Sequence, residues 1–247
     1  MNEKIYFFAD VHFKGTSSGE EEKKFLKFQH FIKQIIQNNI KCSVYVIGDL
    51  FDYYFEKKTL IANKNYKRVF LEFDKLKKHN IQSYFIAGNH DFWIGKEFKK
   101  HFTDCFLEDH IITKNNINFY LTHGDGILSW DRKYRILKKI IRSRIFIILY
   151  SLLPGFIATK VGKTISEKRK DSHKLDNQVL EKIQLELKEF SAKKWQEGND
   201  WVIMGHYHHL FQFSNNDGNG LLILDDCDEN QFNYAVFDGK NLLLEKI

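Results

Sequence analysis

Cysteine and proline are scarce in this chain of 247 residues, which has three cysteines and one proline. Cys42, Cys105 and Cys227 are odd in number, lie far apart and form no CxxC pair, so we expect neither a disulfide framework nor a thiolate zinc site. This cysteine usage is typical of a reducing compartment, and the protein is expected to be cytoplasmic. The single proline and the absence of a Pro/Gly/Ser-rich linker favour one domain with an insertion.

Long apolar runs are also missing. The N-terminal sequence MNEKIYFFAD has no basic region followed by a long apolar stretch, so no signal peptide is predicted. The longest candidate run, IFIILYSLL at residues 145–153, is shorter than the about 20 residues that a membrane-spanning helix needs. That run is long enough to touch a bilayer surface or a lipid, so any membrane association is expected to be peripheral.

The formal net charge of +6 is compatible with a nucleic acid, a membrane surface or an anionic substrate as partner. Most of the excess basic residues lie within residues 127–195, where they alternate with bulky aliphatic residues. This distribution suits a lipid better than a nucleic acid, and no nucleic-acid partner is expected.

Apolar runs and amphipathic stretches alternate through the first part of the chain. Residues 4–9, 42–49 and 81–91 are predicted strands, and residues 21–39 and 66–76 show the spacing of amphipathic helices. This β-α-β-α-β order predicts a layered α/β fold with a parallel component. Residues 117–125 and 200–209 repeat the strand-then-turn pattern, and residues 127–195 are predicted to form a helical insertion.

Residues of the kinds that bind metals follow five of the predicted strands. The motifs are Asp10-x-His12, Gly48-Asp49, Gly88-Asn89-His90-Asp91, His123-Gly124-Asp125 and Gly205-His206-Tyr207-His208. Each motif alone is common in ordinary turns, but all five follow β-type runs. Because the carboxyl ends of strands in open α/β sheets meet at one edge, we expect these fragments to converge.

Carboxylate oxygen and imidazole nitrogen are ligands that suit Mn²⁺, Fe²⁺ or Zn²⁺. Glycines beside the motif residues allow sharp backbone turns. In extended backbone, residues two apart point the same way, so the side chains of Asp10 and His12, and those of His206 and His208, are each expected to face one metal cluster.

The order of the five motifs resembles that of the calcineurin-like metallophosphoesterase superfamily, and the resemblance spans residues 10–208. It implies a four-layer α/β/β/α sandwich with a dinuclear metal centre. By motif position, the first metal would be held by Asp10, His12, Asp49 and His208. The second would be held by Asp49, Asn89, His123 and His206, with Asp49 bridging the two.

Two cations roughly 3.5–4 Å apart can activate a bridging water for in-line attack on phosphorus. His90 is then left to protonate the leaving oxygen or to stabilise the transition state. Asp91 is expected to orient His90, and Asn89, His90 and Asp91 are the predicted catalytic residues.

A finer similarity concerns GDLFDYYFE at residues 48–56, GNHDFWIGKEF at 88–98 and HGDGILSWDRKY at 123–134. These segments are similar to the UDP-2,3-diacylglucosamine pyrophosphatases of lipid A synthesis. The resemblance implies hydrolysis of that nucleotide-sugar glycolipid to UMP and 2,3-diacylglucosamine 1-phosphate with Mn²⁺, at the cytoplasmic face of the inner membrane. The substrate contacts that it implies are Asn89, His90, Asp131, Tyr134 and Arg169.

The chain departs from the best-known branch of these pyrophosphatases, which has arginine where this chain has His90. The expected division is a core of residues 1–126 and 196–247 with a helical cap at 127–195, whose basic residues would meet phosphates and whose apolar residues would meet acyl chains.

Two alternatives remain at this point. The first is another calcineurin-like phosphodiesterase or a nuclease, which would carry a basic groove with stacking aromatic residues. The second is a binding scaffold that has the fold without the chemistry, although such proteins usually lose metal ligands and this chain retains all those expected.

Overall fold

The computed structural model describes residues 3–38, 40–56, 63–154 and 176–247. These residues form two β-sheets with helices, which confirms the predicted α/β class. The strands are Lys4–Phe8 (β1), Cys42–Ile47 (β2), Gln82–Ile86 (β3), Asp104–Phe106 (β4), His110–Lys114 (β5), Ile117–Thr122 (β6), Trp201–Met204 (β7), Phe211–Ser214 (β8), Gly220–Ile223 (β9), Asn233–Phe237 (β10) and Leu242–Lys246 (β11). The helices of the described residues are Gly19–Gln37 (α1), Lys64–Lys78 (α2), Lys96–Lys99 (α3), Arg132–Ile141 (α4), Arg144–Leu152 (α5) and Asn177–Gln196 (α6).

The first sheet has the strand order β11-β10-β1-β2-β3-β4. Strands β1 to β4 run parallel, with Phe7 opposite Tyr45 and Val46 opposite Phe85. Strands β10 and β11 complete the other edge in antiparallel pairing. The carboxyl ends of β1, β2 and β3 therefore lie side by side, and each is followed by one of the predicted ligand motifs.

The second sheet has the order β5-β6-β7-β9-β8. Its three central strands are parallel, with Leu121 of β6 opposite Ile203 of β7 and Ile203 opposite Leu222 of β9. Strands β5 and β8 pair antiparallel at its two edges. This arrangement brings the ends of β6, β7 and β9 together in the same way.

The two sheets pack face to face, because alternate residues of each strand point to opposite sides. One set of alternate side chains forms the core between the sheets, with contributions from Phe7, Tyr45, Phe119, Ile203 and Leu222. Each large apolar side chain that is fully buried in this way contributes about 1.5–3 kcal/mol to stability.

The opposite set of side chains packs against helices. On the first sheet, Phe8 and Phe85 lie in one cluster with Phe28 of α1 and Phe73 of α2. On the second sheet, the residues packed together are Val202, Met204, Leu221 and Ile223 with Ile183 and Leu187 of α6. The layers are therefore α/β/β/α, as the sequence predicted.

Helix α1 begins at a conventional cap and helps to hold the site. The Ser18 hydroxyl accepts from the Glu21 amide at 3.2 Å, and acidic residues fill the first turn, where the helix dipole favours them. One turn later the buried Lys24 ammonium pairs with Glu21 at 2.9 Å and donates to the carbonyl of His12 at 2.9 Å. The helix is thereby tied to a loop that carries a predicted ligand.

Helices α4, α5 and α6 belong to the segment expected to form the insertion. Helix α6 forms the helical layer over the second sheet, whereas α5 is tied to the first-sheet side through Tyr150. The Tyr150 hydroxyl lies 2.6 Å from that of Tyr53, and its ring packs on Phe55 and Trp93. Among the described residues, no helix combines the length and apolar character needed to cross a membrane.

Candidate metal centre

The predicted ligands lie just beyond the strand ends of both sheets. Asp10 follows β1, Asp49 follows β2 and Asn89 follows β3 in the first sheet, while His123 follows β6 and His206 follows β7 in the second. Six of the seven predicted ligand residues form two neighbouring groups of possible ligand atoms at one rim of the sandwich, and the seventh, Asn89, contacts His123 of the second group.

Five of these residues have left-handed backbone conformations. The φ angles are 52° for Asp10, 50° for His12, 52° for Asp49, 73° for His206 and 49° for His208. The expectation that extended backbone aligns each D-x-H or H-x-H pair is therefore wrong, because the strands have ended and the chain is turning. Left-handed backbone costs about 1–2 kcal/mol per residue outside glycine, and such strain is concentrated at functional sites.

The first group consists of Asp10, His12 and His208, whose ligand atoms all lie within 4.8 Å of one another. The Nε2 atoms of His12 and His208 are 3.3 Å apart, and each lies 3.8 Å from Oδ1 of Asp10. Oδ1 of Asp10 is buried, and no residue in the described part of the chain forms a hydrogen bond with it. An unpaired buried carboxylate oxygen facing two imidazole nitrogens is the arrangement that a divalent cation satisfies.

The second group consists of Asp49, His123 and His206, again with all ligand atoms within 4.8 Å. Nε2 of His123 lies 3.3 Å from Oδ2 of Asp49 and 3.2 Å from Oδ1 of Asn89. Oδ2 of Asp49 is also 3.8 Å from Nε2 of His12. Asp49 therefore lies between the two groups.

Glycines give this centre its close packing. A Cβ atom on Gly88 would lie 2.0 Å from Oδ1 of Asp49, and one on Gly205 would lie 2.5 Å from Oδ2 of Asp10. A Cβ on Gly48, whose φ is +78°, would lie 2.3 Å from Nδ1 of His123. No other residue fits at these three positions unless the ligands move, so the glycines of the motifs are explained by sterics.

Burial and charge shift the pKa values of the group strongly. Burial acts to raise the pKa of Asp49, but positive charge from His123 and His90 outweighs it and holds that pKa well below its usual range. Burial acts to lower the pKa of His123, but the Asp49 carboxylate raises it to about 10. Burial raises the pKa of Asp10 to about 6 and lowers that of His206 to about 3.

Polar neighbours orient two of the imidazoles. Nδ1 of His123 donates to the carbonyl of Ile47 at 3.1 Å, and Nδ1 of His208 lies 3.3 Å from Oδ2 of Asp226. Each contact leaves Nε2 to face the cluster, which is how proteins commonly fix the orientation of a metal-binding histidine.

His90 and Asp91 have different roles in the structure. The Asp91 carboxylate is fully buried and accepts from the amides of Asp49 and Phe51 at 3.2 Å and of Gly88 at 3.1 Å. The expected role of Asp91 in orienting His90 is corrected on this geometry, because its two oxygens hold the backbone around Asp49.

The His90 ring is held through its other side. Nδ1 of His90 donates to the carbonyl of Asp52 at 2.6 Å, and Nε2 lies 3.8 Å from Oδ2 of Asp49. The ring contacts that of His12 edge to face. Nε2 of His90 is thus presented to the metal centre, where it can exchange a proton with a bound group.

The remaining predicted substrate contacts lie near α4 or outside the described residues. Asp131 ends the 3-10 turn before α4, and the hydroxyl of Tyr134 donates to Oδ2 of Asp125, two residues beyond His123. Lys138 pairs with the same carboxylate oxygen at 2.9 Å. Arg169 falls in the range that the structure does not describe.

Helix α4 lies on the rim with its polar side inward. Arg135 donates to carbonyls of the loop after His123, and Arg142 donates to the carbonyls of Gly88 and Leu107. The opposite side is exposed and apolar, and α5 continues this character. We define the apolar surface as Ile136, Leu137 and Ile140 of α4 with Ile145, Ile148, Leu149 and Leu152 of α5, whose exposed fractions range from 42% to 75%.

Sequence reasoning missed Asp226 and gave no individual role to Asp125 or Asp52. Asp226 belongs to the run Asp225-Asp226-Cys227-Asp228, which is separated by one residue from the end of β9 at Ile223. The pattern of a buried strand followed by an acidic turn was therefore visible, but the C-terminal part of the chain was interpreted only as short strands with turns.

Two sheets that present carboxylates and imidazoles at one rim define a class of proteins, the metal-dependent phosphoesterases. The chain belongs to the calcineurin-like phosphoesterase family, whose model matches residues 3–210. It is accordingly a metal-dependent hydrolase, and the resemblance noted in the sequence is confirmed.

Individual relatives agree with the finer resemblance. The chain is 27% identical, over an alignment of 268 positions, to the UDP-2,3-diacylglucosamine hydrolase of Porphyromonas gingivalis. The match covers 100% of this chain and 98% of the relative. It is 28% identical to the enzyme of the same name from Haemophilus ducreyi, over 82% of this chain and 83% of the relative. A dimetal phosphatase from Danio rerio shares the fold, with a TM-score of 0.55 at 12% identity over 99% of this chain and 95% of that one.

Proposed function

We propose that this protein hydrolyses the pyrophosphate bond of UDP-2,3-diacylglucosamine to UMP and 2,3-diacylglucosamine 1-phosphate, a step of lipid A synthesis, with Mn²⁺ as its metal. The observation that carries the proposal is the position of the apolar surface, on α5 and on the exposed side of α4, whose polar side lies against the candidate metal centre. A substrate with a diphosphate and two acyl chains matches both sides of this arrangement. The names of the relatives support the same substrate.

Seven residues are proposed as metal ligands. Asp10, His12, Asp49 and His208 would hold one ion, and Asp49, Asn89, His123 and His206 would hold the other. Two bound cations would supply Lewis-acid activation of water and charge neutralisation at phosphorus. The donor chemistry and the unpaired Oδ1 of Asp10 fit such ions.

The side chains beside the ions have separate tasks. Nε2 of His90 would hold or deliver the proton that the departing oxygen needs, because Nδ1 is engaged by the Asp52 carbonyl. Asn89 would contribute its carboxamide oxygen to the metal and its amide N–H to a phosphoryl oxygen. Asp91 would keep the Asp49 loop in its strained conformation through three backbone amides.

The segment 127–195 is proposed to act as the substrate-binding insertion on a core of residues 1–126 and 196–247. Its apolar surface would bury acyl chains, and Asp131, Tyr134 and Arg169 would contact the polar part of the substrate. Burial of one exposed leucine of this surface would contribute about 1.5–3 kcal/mol to binding. The same surface would place the protein peripherally at the cytoplasmic face of the inner membrane, where this lipid substrate is found.

The test is mass spectrometry of the products formed from UDP-2,3-diacylglucosamine with Mn²⁺ in ¹⁸O-labelled water. We expect UMP and 2,3-diacylglucosamine 1-phosphate, with the label in UMP because the α-phosphorus is attacked. Label in the lipid phosphate would contradict the proposed site of attack.

Bis-p-nitrophenyl phosphate and single-stranded DNA serve as comparison substrates. Ready turnover of the diester without turnover of the glycolipid would show that the protein is a phosphodiesterase of other specificity. Efficient cleavage of DNA with a steep dependence on salt would identify a nuclease instead.

A further inference from the structure

Arg142 brings a largely buried positive charge to the rim of the metal centre. Its side chain is 16% exposed, and its guanidinium lies 5.1 Å from the centre of the Phe92 ring. Within 4.0 Å, the single carboxylate partner found among the described residues is Glu108, at 3.9 Å, whose own side chain is 85% exposed. A surface pair of this length and exposure neutralises little of the charge.

The other partners of Arg142 are uncharged. Nη1 donates to the carbonyl of Leu107 at 3.0 Å and Nη2 to the carbonyl of Gly88 at 3.1 Å. Nε is buried and has no hydrogen-bond partner among the described residues. A guanidinium has five N–H donors in a planar fork that fits two oxygens of a carboxylate or a phosphate, so these contacts leave both charge and donors unsatisfied.

Arg142 also lies close to the candidate metal centre, because it contacts Gly88. Gly88 directly precedes Asn89 and packs so closely on Asp49 that a Cβ atom would lie 2.0 Å from Oδ1. Through its hydrogen bond to Gly88, Arg142 therefore lies on the side of the centre formed by Asn89.

Two cations of α4, the helix that Arg142 caps, also face the rim, and both have other partners. Lys138 pairs with Asp125 at 2.9 Å. Arg135 donates to the carbonyls of Gly126 at 3.1 Å and Leu128 at 2.7 Å, away from the Asn89 turn. Arg142 alone among these three combines contact with the Asn89 turn and an uncompensated charge.

We propose that Arg142 is a substrate-positioning residue that binds the phosphoryl group of a diphosphate that is not attacked. This role rests on the proposed function, in which one phosphorus reacts at the metals and a second anionic group must be held nearby. A phosphodiester has no second phosphoryl group, so Arg142 selects diphosphates over simple diesters.

The test compares UDP and UMP as competitive inhibitors of bis-p-nitrophenyl phosphate hydrolysis by the full chain with Mn²⁺. The ratio of the two inhibition constants measures what the second phosphoryl group adds to binding. We expect Arg142→Gln to reduce this ratio at least tenfold and Arg142→Lys to reduce it less, because lysine keeps the charge without the fork of donors. Arg135→Gln, a change of the same type on the helix that Arg142 caps, should keep the wild-type ratio.

The proposal is overturned if Arg142→Gln keeps the wild-type ratio of inhibition constants, or if Arg135→Gln lowers that ratio equally. Either result would show that Arg142 has only a structural role. Should Arg142→Gln fail to fold, as judged by thermal unfolding, an Arg142→Lys ratio equal to that of the wild type overturns the proposal. The readout does not need turnover of UDP-2,3-diacylglucosamine. A failure of that turnover contradicts the proposed function without affecting this result.

Discussion

Nδ1 of His208 lies 3.3 Å from Oδ2 of Asp226, a residue of the turn after β9. This contact directs Nε2 of His208 toward the first group of candidate ligands, 3.8 Å from Oδ1 of Asp10. We expect Asp226→Asn to weaken metal binding by about 10–100-fold, because the imidazole becomes less basic and less well oriented. Isothermal titration with Mn²⁺ measures the change, and an unaltered affinity would show that the contact is incidental.

Asp49 stands between both candidate ion positions. We expect Asp49→Ala to remove both ions and to lower turnover by at least about a thousandfold, since charge stabilisation at the reacting centre is lost. Elemental analysis of the purified variant and hydrolysis of bis-p-nitrophenyl phosphate test this. One ion retained per chain would contradict the bridging role.

Metal binding is expected to release protons. In the metal-free chain, carboxylates raise the pKa of His208 to about 9 and that of His123 to about 10, although burial acts to lower both. Below these values the imidazoles carry protons that a metal must displace, so affinity increases with pH until about pH 9–10 and is lost as the pH falls. Titrations at pH 7.5 in Hepes and in Tris should differ in enthalpy by the buffer contribution of the released protons. Equal enthalpies would contradict the prediction.

Gly88 has no space for a side chain. We expect Gly88→Ala to destabilise the fold by about 1–3 kcal/mol and to abolish metal binding, because a Cβ atom would lie 2.0 Å from Oδ1 and 2.4 Å from the backbone nitrogen of Asp49. Gly19→Ala is the matched control, since nothing lies within 4 Å of a Cβ atom there. Thermal unfolding and metal analysis of both variants provide the measurement, and equal behaviour would contradict the steric argument.

The apolar surface of α4 and α5 is expected to bind acyl chains. Leu149 on α5 is 60% exposed, and Leu71 on α2 is 57% exposed, so the two offer a matched pair. We expect Leu149→Gln to raise KM for UDP-2,3-diacylglucosamine about tenfold, which corresponds to the loss of about 1.4 kcal/mol of apolar burial. Leu71→Gln should keep the wild-type KM. The same KM for both variants would show that the apolar surface does not contribute to substrate binding.

The sequence predicted the fold well because its signals are local. Each ligand motif follows a short apolar run, and strands that end in this way at a common edge are a general property of open α/β sheets. The helices over the first sheet were likewise visible, as the spacing of Phe25, Phe28 and Ile32 predicted α1.

The details that the sequence did not reveal depend on contacts between distant parts of the chain. Asp226 reaches His208 because β9 pairs with β7 in parallel register, and no local pattern specifies which strands become neighbours. The buried carboxylate of Asp91 could not be assigned to the Asp49 loop for the same reason. The left-handed backbone of Asp10 and His12 was also missed, because neither residue type requires it.

The orientation of α4 shows a third kind of limit. Its periodicity predicts an amphipathic helix, but periodicity does not say which side faces the protein. The polar side lies inward because carbonyls of Gly88, Leu107, Gly126 and Leu128 and the carboxylate of Asp125 accept its hydrogen bonds. Those acceptors come from separate loops and become a surface only after folding.

Both groups of candidate ligands draw side chains from both sheets. Asp10 and His12 follow β1 of the first sheet, while their neighbour His208 follows β7 of the second, and Asp49 and His123 are divided in the same way. A bound ion would therefore act as a cross-link that fastens the open end of the sandwich. Saturation of one such site at 100 times its dissociation constant adds about 2.7 kcal/mol to folding stability. Treatment with a chelator should accordingly lower the melting temperature of the whole sandwich as well as stop turnover.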